Sequence, residues 1–155
     1  MSHPVYVESQ FSSVLWMALP AVSVAGFLLK FNLRDPAQRE AAIAIIAAVN
    51  IIALALLGRL TVSVDATHLR WRFGFFGWPA WSVALADISA AEETRSRCVE
   101  GWGIKYTKQG MLYNASGTAA VRIHRRSGKS FRLGCSDPRR LLSFLEPRIT
   151  LRAGG

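Results

Sequence analysis

The chain has 155 residues, with 19 Lys and Arg against 10 Asp and Glu and 51% hydrophobic residues, so a formal charge of +9 accompanies a positive mean hydropathy. The charge is segregated: no charged residue lies in Ser9 to Leu29 or in Ala41 to Gly58, runs of 21 and 18 residues. That distribution excludes a uniform soluble globule and a disordered chain, and a total of two Cys excludes a disulfide scaffold.

In chain order, residues 1–10 read as an N-terminal tail and residues 11–58 as a two-helix transmembrane hairpin. Phe11 to Phe31 as a helix would be ~31 Å long, which matches a hydrocarbon core of roughly 30 Å. Residues 1–10 carry Glu8 and neither Lys nor Arg, which argues against the positive leader of a cleaved signal peptide. The second helix is predicted from Pro36 to Gly58, with Asp35 as cap, Pro36 at the first helical position and Gln38 completing a capping pattern. Pro20 is placed to kink the first helix, and Ala44, Ala48 and Asn50 to meet it from the second. A single neutral amide such as Asn50 reads as a helix-to-helix hydrogen bond in preference to a transport group. The basic flanks do not orient the hairpin, since Lys30, Arg34 and Arg39 balance Arg59, Arg70 and Arg72. Two Cys with no evident pairing and a basic C-terminal region favour a cytoplasmic position for both termini.

From residue 59 the pattern changes to strand-like alternation with frequent turn residues. Seven strands are predicted: Leu60 to Val64, His68 to Phe73, Trp81 to Leu85, Ile88 to Thr94, either Gly103 to Tyr106 or Met111 to Tyr113, Ala119 to Arg125, and Ser130 to Cys135. Pairing Ile123 with Phe131 and Val121 with Leu133 leaves the loop Arg126-Ser127-Gly128, with glycine where a left-handed residue is needed. Asp137-Pro138 then opens a helix whose Leu141, Leu142 and Leu145 form an apolar stripe, predicted to stop at Pro147 before a tail at 148–155.

This order of elements, carried by LTVSVDATHLRWRFGFFGWPAWSVALADIS, GWGIKYTKQGMLYNASGTAAVRI and SGKSFRLGCSDPRRLLSFL, resembles the bacterial pleckstrin-homology-like family of small membrane proteins over about residues 59–147. The resemblance implies an α+β chain: the hairpin, then a partly open seven-stranded antiparallel barrel capped by a C-terminal helix, used for binding or assembly and not for catalysis. Lipid-binding relatives hold phosphoinositides with a basic first loop. Here that loop is Asp65-Ala66-Thr67, without Lys or Arg.

No catalytic, cofactor or metal constellation is legible. The three His are scattered, and HExxH, GxSxG and Cys-x-x-Cys are missing. Gly101 and Gly103 read as a bend, and Glu92 and Glu93 fall on opposite faces of a strand. Cys135 points inward as a small apolar residue, while Cys98 stands alone. The positive excess lies wholly beyond residue 58, where 16 Lys and Arg face 7 Asp and Glu.

Two surfaces are candidates for binding. Arg122 and Arg132 are predicted opposite each other on an outward face, with His124 and Lys129 close by. The loop Gly74 to Pro79 brings Phe75, Phe76 and Trp78 to a tip beside Arg70 and Arg72, where they could meet headgroups or the hairpin. These features favour a non-catalytic interaction or scaffolding module, anchored as a multi-pass protein at the cytoplasmic face of a bacterial inner membrane. Its expected partners are the bilayer, anionic headgroups, a protein or a second copy of the chain. The alternative, a membrane-tethered nucleic-acid binder, rests on charge alone and lacks a reading motif.

Overall fold

The computed structural model describes residues 5–30, 35–96 and 103–153; Arg34, Cys98 and Gly101 lie outside them. Among the described residues the chain is α+β, with three α-helices and nine strands in two sheets. The first sheet has the order β1 (Tyr6–Phe11), β2 (Arg59–Val64), β3 (His68–Phe73), β4 (Ala80–Ala84). The second runs β5 (Ile88–Arg95), β8 (Ala119–Arg125), β9 (Ser130–Gly134), β7 (Gly110–Asn114), β6 (Gly103–Thr107). Helices α1 (Ser13–Lys30) and α2 (Pro36–Leu57) lie between β1 and β2, and α3 (Pro138–Ala153) ends the fold.

Nine strands replace the seven expected, for two reasons. Residues read as a tail form β1, which pairs with β2 from Tyr6↔Val64 to Phe11↔Arg59 and buries Tyr6 and Gln10. The two alternatives for the fifth strand both form, as the β6–β7 hairpin with Tyr106 opposite Met111. Nor is the sheet wholly antiparallel, because β7 runs parallel to β9. Gly110 permits that approach: at φ +96° it is left-handed, and a Cβ there would collide with the Ser130 carbonyl oxygen. The β8–β9 hairpin has the predicted register, Ile123↔Phe131 and Val121↔Leu133, with Gly128 at φ +81°.

The two sheets share one core, in which Leu60, Val62, Leu69 and Phe73 of the first meet Val121, Ile123 and Leu133 of the second. Helix α3 adds Leu141, Leu145 and Ile149 at four-residue spacing, so one face of the helix enters that core. The helix passes through Pro147 instead of stopping there, and residues 148–153 continue it. Ile149, buried one turn later, gives the reason. Burying such a side chain stabilises by roughly 1.5–3 kcal/mol, comparable to the ~3 kcal/mol cost of an internal proline.

The expected pair of spanning helices is also revised. Helix α2 has 22 residues, ~33 Å, and among the described helices it alone is long and apolar enough to cross a membrane. Residue Phe11 belongs to β1, and Ser12 caps α1 by accepting from the Leu15 amide at 3.2 Å. The apolar stretch of α1 is therefore Leu15–Leu28, ~21 Å. A polar contact joins the two helices: Ser23 Oγ donates to Asn50 Oδ1 at 3.2 Å, while Asn50 Nδ2 is held within α2 by donating to the Ile46 carbonyl at 2.7 Å. Their outward surfaces are apolar, with Met17, Val22, Leu28, Ile45, Val49 and Ile51 exposed.

A polar clamp joins the sheets. Glu8 of β1 accepts hydrogen bonds from Tyr6 Oη, from Gln10 Nε2 and from the Ser136 amide between β9 and α3. Burial opposes ionisation of Glu8, but these hydrogen bonds outweigh it and hold the carboxyl below its usual range. A folded-state pKa below the unfolded one means that the clamp stabilises at neutral pH and is lost as pH falls through the folded value. Glu8→Gln should lower the unfolding free energy by about 2 kcal/mol at pH 7, and the gap to the unmodified chain should close on acidification. Urea titration in detergent, followed by Trp emission, reads this directly, and coincident midpoints at pH 7 would contradict it.

Candidate functional site

The loop between β3 and β4 is built against the helices. Its ends are closed by the Phe73 amide donating to the Pro79 carbonyl at 2.9 Å and by the Gly74 amide donating to the Arg59 carbonyl at 2.8 Å. The Phe75 amide then donates to the Ala55 carbonyl of α2 at 2.9 Å, which satisfies an oxygen at the helix end. Glycine is required here twice over: Gly74 is left-handed at φ +71°, and a Cβ on it would collide with the Ala55 carbonyl oxygen. Gly58, between α2 and β2, is equally crowded, with Leu54 O and Trp16 Nε1 where a Cβ would stand.

An aromatic collar results. The Phe75 ring lies 6.1 Å from Phe11 and 6.3 Å from Trp16, edge to face with the latter. Arg59 stands over Phe11 at 5.3 Å and donates to Ser9 Oγ at 2.9 Å. Phe76 and Trp78, 83% and 66% exposed, project from the same loop. Of the predicted tip residues, Phe75 thus docks on the helices while Phe76 and Trp78 stay free. Phe11, Trp16 and Arg59 join them without having been predicted.

The predicted basic residues fall into separate groups. Arg70 and Arg72 lie on the outer face of the first sheet, where Arg70 pairs with Asp65 at 3.2 Å and Arg72 lies against Gly77. Burial opposes ionisation of Asp65, yet the Thr67 and His68 amides and Arg70 keep its carboxyl below the usual value. On the second sheet Glu92 bridges Arg122 at 3.2 Å and His124 at 3.1 Å. Its hydrogen bond with His124, chiefly, and the charge of Arg122 hold the Glu92 carboxyl low. Lys129 sits on the β8–β9 turn.

Arg132 departs from expectation. It does lie opposite Arg122 and on the side of β9 away from core residues Phe131 and Leu133, but it is buried and not exposed there. The cause is the β6–β7 hairpin, which covers what would otherwise be the edge of β9: Leu112 is its neighbour across the ladder, and Thr107 Oγ1 accepts from Arg132 at 3.0 Å. Arg132 is a structural cation and is withdrawn from the binding surface.

Cys135 is buried, and burial first, then the carboxylates of Glu8, Asp137 and Glu93, push its thiol up to about 12. Among the described residues, no group of three or more His, Cys, Asp or Glu is placed to hold a metal ion. No protein-family model, curated protein or solved structure matches the chain.

Gly74→Ala should loosen the collar at a cost of about 2 kcal/mol, from the left-handed backbone and the clash with α2. Chymotrypsin would then cut after Phe75 or Phe76 faster than in the unmodified chain. Equal cleavage rates would contradict the role given to this contact.

Proposed function

We propose that the protein is a membrane-anchored, non-catalytic interaction module. In this reading α2 crosses the bilayer with α1 alongside it, and the aromatic collar seats the two sheets on the membrane surface. The observation that carries it is the inverted burial of the helices: Ser23 and Asn50 face each other between them, while Met17, Val22, Val49 and Ile51 face outward. In water those surfaces would remain a large apolar patch. In hydrocarbon they are in their preferred solvent, and the polar pair becomes the helix contact.

The collar supports the same placement, because Trp and Phe beside an arginine at the foot of an apolar helix suit the headgroup layer. The proposed site is a bacterial inner membrane with both termini cytoplasmic, for which the excess of basic residues beyond residue 58 is the support. A pleckstrin-homology-like reading of the sheets draws support from their shared core and from α3 closing it. The parallel β7–β9 pair and the added β1 depart from the seven antiparallel strands which that reading expects.

A chain with Cys98→Ser and Phe76→Cys, labelled with an environment-sensitive NBD fluorophore, tests the seating. Cys135 is buried and stays unlabelled. Reconstitution into vesicles should shift NBD emission to the blue relative to the same label at Lys108→Cys. Matching emission at the two positions would refute the seating.

A further inference from the structure

A second concave surface lies between the β6–β7 turn and the β8–β9 turn. It is a cleft of about 720 Å³, within the roughly 300–1,000 Å³ of sites that bury a ligand. Tyr106, 85% exposed, and Met111 supply its apolar part, Lys108, Lys129 and Arg122 supply its cations, and the His124 imidazole also lines it. Arg122 also donates to Gln109 Oε1 at 2.8 Å, which ties the β6–β7 turn to strand β8 across the floor of the cleft.

Its position separates it from the collar. Strand β2 leaves α2 at Arg59 and reaches the Asp65–Thr67 turn after six residues, ~17 Å. From that turn the Thr67 carbonyl accepts from the Leu85 amide at 2.8 Å, and the Asp87 carbonyl accepts from the Arg126 amide at 2.8 Å. The turn carrying Lys129 therefore sits at the end of the first sheet remote from α2. A basic surface there is poorly placed for the headgroups of the membrane that α2 would cross.

The local charge limits the ligand. Glu92 is engaged by Arg122 and His124, whereas among the described residues neither Lys108 nor Lys129 has an acidic partner. Two free ammonium groups beside a single exposed aromatic ring suit a ligand with about two carboxylates and an apolar side chain. They make a poor track for a polynucleotide, which needs a longer run of cations and several stacking rings.

We infer that this cleft receives an acidic, extended segment of a partner protein, with carboxylates at Lys108 and Lys129 and an apolar side chain on Tyr106 and Met111. The inference rests on the membrane-anchored reading only in assigning the cleft to the aqueous side. Charged pairs of this kind set partner choice and encounter rate more than raw affinity, so a modest, charge-sensitive binding constant is the signature.

The full chain in phosphatidylcholine nanodiscs, titrated into a fluorescein-labelled octapeptide carrying two glutamates around a leucine, tests this by anisotropy. Saturable binding is expected, weakened about tenfold by combined Lys108→Glu and Lys129→Glu. Replacing the glutamates of the peptide with glutamine should weaken it similarly without altering the chain. No saturable binding, insensitivity to both changes, or tighter binding of a single-stranded oligonucleotide of equal length would overturn the inference. Retention of the chain in the nanodisc fraction judges the anchoring separately, so either result can fail without the other.

Discussion

The contact between the β3–β4 loop and the end of α2 is the constraint on which the rest of the arrangement depends. Two backbone hydrogen bonds anchor the loop, Gly74 to Arg59 at the start of β2 and Phe75 to Ala55 of α2, and the second joins sheet to helix with no side chain between them. Such an approach is open only to glycine at position 74, and Gly58 solves the same problem one turn away. Because α2 runs straight into β2 and β1 runs straight into α1, the first sheet is rooted in both helices. The Ser12 amide, donating to the Gly58 carbonyl at 3.1 Å, closes the joint. In the proposed placement this joint determines which aromatic residues reach the headgroup layer.

The positive charge acquires a different meaning once the side chains are in place. Arg70, Arg122, Arg125 and Arg139 each have a carboxylate partner, in Asp65, Glu92, Asp87 and Glu93. Exposed pairs of this type contribute little to stability, commonly below about 1 kcal/mol. Their effect is to offset the local charge of these four arginines. The ammonium groups of Lys108 and Lys129, without an acidic partner among the described residues, come together at one cleft.

What was legible in the sequence was what local chemistry controls. The β8–β9 register followed from alternation plus Gly128, and the starts of α2 and α3 followed from Asp35-Pro36 and Asp137-Pro138. The misses are all non-local. Strand β1 has no apolar alternation of its own, and it is ordered by the edge of β2 and by the Glu8 clamp to Ser136, 128 positions away. The parallel β7–β9 pairing, which buries Arg132, depends on where a later hairpin docks. The end of α3 was set by burial of Ile149, which a local reading of Pro147 cannot anticipate. At the candidate site the aromatic loop was visible as a composition. Its docking surface was not, because half of it comes from Phe11 and Trp16, more than fifty positions earlier.

The central claim is that α2 lies in hydrocarbon while the sheets lie in water beside it. Water-dependent alkylation of single cysteines in sealed vesicles examines that claim most directly, since maleimides react with hydrated thiols. With Cys98 replaced by Ser, cysteine at Val49 or Ile52 on the outward face of α2 should resist a maleimide until detergent is added. Cysteine at Lys129 should react at once wherever the reagent has access. Equal reactivity of Val49→Cys, Ile52→Cys and Lys129→Cys without detergent would contradict the account.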